Sequence, residues 1–367
     1  MIHKVRIGFD TRAAFLDPHR GFGRIARSLV EALLAQAPGE VVPFVPHGYP
    51  VPPRWYPLAA HIVQLRRPRR GAFVVDPLAW SLTAPRQRLD VLHLPAWGVP
   101  PGLRTPVVAT FHDATPFLFP SPASRWKRWR GRLAIRSLAR AAAVHAVSHH
   151  AAAEAVAFAR VTGERVHVVH WGVGFPFVPP EQPGPGEHVL FVGGGEPHKN
   201  LEVVLAAYRL ARSEVLPNLV VAGPAAADPT VAARLGEGPL GGRIRLAPAL
   251  SDERLASLYG DALATVVPSR HEGFGLPALE AMACGSPVLA ARAGALPEVC
   301  GDAAELLDPD DPAAWRDALL ALQNSAEKRH RLRTAGLARA ALFTWEKCAR
   351  EMIAIYRELT RERNALT

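Results

Sequence analysis

The sequence predicts an α/β protein made of two doubly wound domains, each a parallel sheet covered by helices. Three observations predict it. Short β-branched segments, apolar almost throughout, alternate along the chain with amphipathic stretches. Strands buried on both faces alternate with their covering helices in this way. At 367 residues the chain exceeds one ordinary core and fits two. Between the two halves lies "PFVPPEQPGPGEH", residues 176–188, with five prolines and two glycines. No helix or central strand holds that composition. The expected divisions are a first domain over residues 1–175, a linker over 176–188 and a second domain over 189–345. A terminal helix over 346–367 is expected to cross back to the first domain. Two such domains imply a cleft, with ligands bound beyond the carboxyl ends of the strands.

The elements follow in order. "KVRIGFD" is a strand, and "GFGRIARSLVEALLA" is a glycine turn feeding an amphipathic helix. "VVPFVP", "DVLHLP", "PVVATFHD", "AAVHAVS" and "RVHVVHWG" are further strands of the first half. "HVLFVGGGEPHKNLEVVLAAYRLA" opens the second half as strand, glycine turn and helix. "NLVVAG", "RIRLAP", "ATVVPS" and "PVLAA" are its later strands, and "WEKCAREMIAIYRELTRER" is the long last helix.

Composition narrows the function. Hydrophobic residues make up 49% and charged residues 21%, so the chain is globular rather than disordered. The start, "MIHKVRIGFD", enters a strand pattern at once and shows no signal-peptide core. No apolar run reaches the length of a membrane span. Three unpatterned cysteines, Cys284, Cys300 and Cys348, fit a reduced cytoplasmic protein without zinc. The net charge of +10 is unevenly placed, since residues 1–180 hold 23 Lys and Arg against 9 Asp and Glu. The first half should therefore face something anionic: a membrane surface, an acidic glycan or lipid, or nucleic acid.

The chemistry concentrates in "PSRHEGFGLPALEAMACGSPVLA", residues 268–290. A strand ends near Pro268, a glycine-bracketed loop follows, and Pro277 suits a first helical turn. Gly273 and Gly275 allow close backbone approach, and free amides at a helix start attract a phosphate. Glu280, one turn inside, cannot bind phosphate but can accept two hydrogen bonds from a vicinal diol such as a ribose. Glu272 could accept from sugar hydroxyls or stabilise a developing positive charge. Either glutamate alone could simply cap or face a helix. A second loop, "GGGEPHKN", brings Gly193, Gly194 and Gly195 before Lys199, a point charge for a phosphate. It lacks the Ser/Thr and spacing of a P-loop. His112 follows an apolar strand and precedes Asp113, which fits a structural histidine or one facing the cleft. "DPDD", residues 308–311, reads as a helix-capping turn and not a metal motif.

These stretches, with "GALPEVCGDAAELLDPDD", "GFGRIARSLVEAL", "VVATFHDATPFLFP", "AVSHHA" and "VVHWGV", resemble glycosyltransferase family 4 over nearly the whole chain. The resemblance implies the GT-B fold of two Rossmann-like domains. It implies retaining transfer of a hexose from a nucleotide diphosphosugar, without a metal ion or other cofactor. By the same resemblance Glu280 holds the donor ribose. Glu272 and the main chain of Gly273, Phe274, Gly275 and Leu276 contact the sugar and its phosphates. Lys199 neutralises the leaving diphosphate, Gly23 approaches the phosphates from the other domain, and His112 stands beside the sugar. Many members carry an arginine where this chain has Gly194; His198, Arg24 or Arg270 could supply the missing charge. The "EPxKN" pattern resembles a mannosyl- and rhamnosyltransferase subgroup. GDP-mannose is therefore the expected donor, and a cell-surface polysaccharide or lipid-linked glycan the expected acceptor. A nucleotide-sugar epimerase and a non-catalytic basic-patch binding protein are the rival readings.

The stretch "SRWKRWRGRLAIRSLAR" supplies much of the first half's charge. Arg125, Lys127, Arg128, Arg130, Arg132, Arg136 and Arg140 accompany Trp126 and Trp129. A basic helix with tryptophans suits an anionic membrane interface. The alternative is a solvated face whose tryptophans pack inward. Arg66, Arg67, Arg69 and Arg70 could extend the same surface. Nucleic-acid motifs are missing, so no nucleic-acid partner is expected. The expected location is the cytoplasm, peripheral to the inner face of the membrane.

Overall fold

The computed structural model describes residues 4–16, 21–65, 80, 84–95, 98–119, 125–182, 184, 186–211, 216–236 and 240–366. Arg66, Arg67, Arg69 and Arg70 lie outside the described residues, as do the side chains of Arg125, Lys127 and Arg128. The chain divides into two compact units, residues 1–172 with 345–367, and residues 173–344.

The first unit is built on a parallel sheet of β1 (Ile7–Asp10), β2 (Val41–Pro46), β3 (Val63–Leu65), β4 (Val91–Leu94), β5 (Val107–Phe111), β6 (Ala143–Ala146) and β7 (Val166–Val168). Its order is β3-β2-β1-β4-β5-β6-β7. Ile7 of the central strand pairs with Val41 on one side and Val91 on the other. β1, β2, β4, β5 and β6 are buried along their whole length, which is why their sequences are continuously apolar. The helix Gly21–Gln36 buries Ile25, Leu29, Val30, Leu33 and Leu34 at helical spacing. It packs against the last helix, Trp345–Leu366, which belongs to this unit.

The second unit carries a parallel sheet of β8 (His188–Val192), β9 (Asn218–Ala222), β10 (Ile244–Ala247), β11 (Ala262–Val267), β12 (Val288–Ala291) and β13 (Glu305–Leu307). Its order is β10-β9-β8-β11-β12-β13. Phe191, Tyr208, Tyr259 and Trp315 fill its interior and are essentially unexposed. The described residues of 176–187 hold no helix or strand. Phe177 packs edge-on to Tyr259, so this stretch is laid onto the second unit.

β3 and β13 have no counterpart in the expected elements. Each is a three-residue edge strand with a polar member, Gln64 and Glu305, and neither forms an apolar run long enough to stand out. No helix among the described residues is long and apolar enough to cross a membrane.

Candidate active site

In the second unit the singled-out residues gather where β8 and β11 end. Lys199 closes the short turn Pro197–Lys199, and Asn200 behind it takes a left-handed φ of 56°. Asparagine tolerates that conformation better than most residues. Asn200 Nδ2 donates to the carbonyl oxygen of Pro268 at 3.1 Å and of Pro309 at 2.7 Å. This one amide ties together the loops after β8, β11 and β13. The Ala295 N–H donates to the Glu272 carbonyl at 2.9 Å and adds the loop after β12.

The lacing brings Lys199 and Glu272 into contact. Lys199 Nζ donates to Glu272 Oε1 at 2.8 Å, and Ser269 Oγ donates to the same oxygen at 2.8 Å. The two charged side chains keep 24% and 12% exposure, so the pair is partly shielded yet reachable. No described group donates to Glu272 Oε2. Gly294 makes this packing possible. Its φ is +58°, and a Cβ there would stand 2.7 Å from both the amide nitrogen and the carbonyl oxygen of Glu272.

Gly275, at φ +97°, turns the chain into the helix Leu276–Ala283, with Pro277 in the first turn. The amides of Gly275 and Leu276 donate to no described group. They stand at the positive end of the helix, where an anion is favoured. Phe274 anchors the loop from the other side, 6% exposed, with its ring edge-on to Phe343. At the far end Gly285 N–H donates to Met282 and Ser286 N–H to Ala281, a two-bond closure that satisfies the last carbonyls. Glu280 points into the unit. It is 2% exposed, and the Tyr259 hydroxyl donates to its Oε2 at 3.1 Å.

At Gly194, where the resemblance leads one to expect an arginine, a Cβ would meet only the carboxylate of Glu196, the mobile end of an exposed side chain. Of the candidates to replace that charge, Arg270 is bound to Asp310 at 2.6 Å and His198 is buried. Arg24 belongs to the first unit. Asp311 caps the helix Pro312–Asn324 by accepting from Ala313 and Ala314, so "DPDD" is used as a turn.

In the first unit His112 stands just beyond β5. Its Nε2 lies 2.6 Å from the carbonyl oxygen of Pro95. A carbonyl only accepts, so Nε2 carries the proton and Nδ1 keeps its lone pair. Burial lowers its pKa, opposed by the Pro95 hydrogen bond and by Asp113. The ring is therefore neutral near pH 7, and Nδ1 is an acceptor. Phe22, next to Gly23, lies edge-on to His112 with ring centroids 4.5 Å apart. The expected glycine turn is itself the first turn of the helix Gly21–Gln36, and this contact sets it beside the histidine. The loop after His112 is held by Glu154 on a neighbouring helix, whose Oε2 accepts from Ala114 N–H at 2.9 Å.

The basic stretch is a helix, Arg125–Ser137. Trp126 and Trp129 do not pack inward. They stack on each other at 4.9 Å and are 56% and 50% exposed, with Leu133 one turn further along, also exposed. Arg132 and Arg136 lie over the Phe117 ring instead, which leaves the tryptophans on the outward face.

Sequence reasoning passed over Ser269, Tyr259, Asn200, Phe22 and Glu154. Ser269 and Asn200 adjoin residues already singled out. Tyr259 and Glu154 carry no local signal, because only folding brings them to Glu280 and to the His112 loop.

Two parallel-sheet Rossmann-like units, one holding a cation, a carboxylate and open helix amides at its strand ends, define an α/β enzyme of the GT-B glycosyltransferase class. The chain matches the family described as Glycosyl transferases group 1 over residues 177–339 and Glycosyltransferase Family 4 over residues 19–174. It is 32% identical to O-antigen chain mannosyltransferase B of Escherichia coli, over 83% of this chain and 82% of that protein. Its fold is like that of sucrose-phosphate synthase from Thermosynechococcus elongatus, with a TM-score of 0.77 at 21% identity over 98% and 100% of the two chains. It is also like Anabaena HepE in complex with UDP-glucose, with a TM-score of 0.68 at 16% identity over 98% and 99%. The chain belongs to glycosyltransferase family 4, the retaining group 1 enzymes, and it transfers a sugar.

Proposed function

We propose that the enzyme transfers mannose from GDP-mannose to a hydroxyl of a glycan or lipid-linked acceptor during synthesis of a cell-surface polysaccharide. The observation that carries this reading is the Lys199–Glu272 pair set beside the open amides of Gly275 and Leu276. The similarity to an O-antigen mannosyltransferase supports the sugar and the acceptor class. The likeness to HepE with UDP-glucose supports a nucleotide-sugar donor but names another base, so both bases belong in the test.

The roles follow from charge. When the C1–O bond to the diphosphate breaks, negative charge collects on the departing phosphate oxygen. Lys199 and the amides of the 273–276 loop stabilise it where it develops. The departing oxygen takes the acceptor hydroxyl's proton on the same face, and the configuration is retained. Glu272 is repelled by phosphate, so its Oε2 serves the sugar hydroxyls. Glu280 accepts from the ribose and Gly23 offers its backbone to an anion. His112 offers Nδ1 to a sugar hydroxyl. In this reading the ammonium and amides do the work, and no metal ion is needed.

Melting curves of the wild type and of Glu280→Gln against GDP, UDP and their sugars test the donor site. One nucleoside diphosphate should raise the melting temperature most. Glu280→Gln keeps the shape and an acceptor for Tyr259. It should weaken that nucleotide about ten- to a hundredfold, as loss of a charged hydrogen-bond acceptor does. Unchanged affinity takes Glu280 out of ribose binding, and no response to any nucleoside diphosphate ends the donor reading.

In the same reading the helix Arg125–Ser137 rests on the anionic inner face of the membrane, tryptophans inserted and arginines at the headgroups. Each basic residue near such a surface contributes about 1 kcal/mol. Replacing Trp126 and Trp129 by alanine, or Arg125, Lys127 and Arg128 by glutamine, should reduce sedimentation with phosphatidylglycerol vesicles. Neutral vesicles should bind neither form. Undiminished binding of the variants leaves this helix a solvated face.

A further inference from the structure

We propose that Phe22 is a sugar-contacting residue. Its ring is the platform for the apolar face of a hexopyranose, while His112 Nδ1 accepts from a hydroxyl of the same sugar. The proposal rests on the sugar-transfer reading above and adds the residue that recognises the sugar itself.

Phe22 is the second residue of the helix Gly21–Gln36. Helical spacing sets it in line with Ile25, Leu29 and Leu33, which are 0–7% exposed. Phe22 is 49% exposed. The core stripe thus runs off its own end, and the last ring emerges beside His112, just past the end of β5. Scattered apolar side chains on a surface need no explanation, and Tyr56 and Leu342 are exposed in this way. Phe22 differs in what it touches. Its ring meets His112 at 4.5 Å and 88°, and Trp171, 1% exposed, lies 5.9 Å from the same imidazole. The imidazole is thereby fixed between two aromatic rings and the Pro95 carbonyl.

The chemistry of the patch selects its ligand. A neutral imidazole presenting a lone pair repels phosphate, and so does the electron-rich face of a phenyl ring. The diphosphate therefore belongs elsewhere. A hexopyranose fits, because one face is a set of C–H bonds and its rim carries hydroxyl donors. The C–H face packs on the ring, and one rim hydroxyl donates to Nδ1. Two sugars have this chemistry, the donor hexose and the acceptor's terminal hexose.

Calorimetric titration of the wild type, Phe22→Ala and Phe22→Tyr with GDP, GDP-mannose and methyl α-D-mannopyranoside tests the proposal, with UDP and UDP-glucose in place of the first two if the wild type prefers uridine. Phe22→Ala should weaken a sugar-bearing probe about tenfold, the size of one aromatic packing contact, and leave the bare nucleotide unchanged. Phe22→Tyr, which keeps the ring, should restore it. A loss confined to the nucleotide sugar assigns the platform to the donor, and one confined to the mannoside assigns it to the acceptor. The proposal is overturned if Phe22→Ala binds all three probes as the wild type does, or loses the bare nucleotide equally. A wild type that binds neither nucleotide defeats the donor reading, while the mannoside titration still decides the role of Phe22.

Discussion

Lys199→Ala should lower kcat by about two to three orders of magnitude, the usual effect of removing one preorganised donor from a developing anion. The melting temperature should move little. The side chain is 24% exposed, and the Ser269 hydroxyl still donates to Glu272 when the ammonium is gone. A partly exposed ion pair of this kind contributes about 1 kcal/mol or less to stability. The variant also leaves Glu272 uncompensated beside a bound diphosphate, which would depress the rate without any direct contact between Lys199 and phosphate. The double variant Lys199→Ala/Glu272→Gln separates the two effects. If Lys199 acts only by neutralising Glu272, the double variant should turn over as fast as Glu272→Gln alone. If the ammonium meets the leaving group, the double variant should stay as slow as Lys199→Ala, the non-additivity expected of groups in direct contact. A single variant with near-normal kcat removes Lys199 from the chemistry.

Legibility in the sequence depended on whether a feature was local. Central strands such as "VVATF" and "ATVV" are buried on both faces, and their continuous apolar runs betray them. β3 and β13 lie at sheet edges, where three residues with a polar member satisfy the ladder and no run builds up. In the site, the turn at Gly275 and the helix after it follow from residues adjacent in the chain. The lacing by Asn200 does not, because its acceptors lie 68 and 109 residues away. Arg270 shows the same limit in reverse. Its position beside the loop suggests a ligand charge, but Asp310, 40 residues on, takes its guanidinium. The outward tryptophans of the basic helix could not be read from spacing, since Phe117 outside that helix decides which face Arg132 and Arg136 cover.

The first unit should unfold in mild acid, well before carboxylates are protonated. A chain of buried groups crosses its sheet with a single direction of donation. His145 Nε2 faces the Val169 carbonyl at 2.7 Å and must donate to it. His145 Nδ1 therefore accepts from Thr110 Oγ1 at 3.1 Å. With its proton so used, Thr110 Oγ1 accepts from His93 Nε2 at 2.8 Å. That leaves His93 Nδ1 to accept from the Tyr356 hydroxyl at 2.6 Å. A proton added to either imidazole turns an acceptor into a donor, so the facing hydroxyl must turn its own proton away from the bond it made, inside a buried setting. Burial opposes the same charge. It pushes His145 down to about 3 and His93 well below its ordinary value, with His112 lowered as well. In the unfolded chain these histidines bind protons near pH 6.5. The unfolded state thus takes up protons first, and stability that is complete above pH 6.5 is lost as the pH falls toward 3. Each such histidine costs about 1.4 kcal/mol per pH unit within that window. Urea midpoints between pH 7.5 and 4.5 should fall steeply, and more than one proton should be taken up on unfolding. Tyr356 belongs to the last helix, and Trp345 at the start of that helix lies 5.9 Å from Trp171, so tryptophan emission should report the transition. Thr110→Val removes the link that both histidines share and should lower the midpoint already at pH 7.5. A midpoint that stays flat from pH 7.5 to 5 and drops only near pH 4 would mean that carboxylates, not this chain of imidazoles, set the acid limit of the fold.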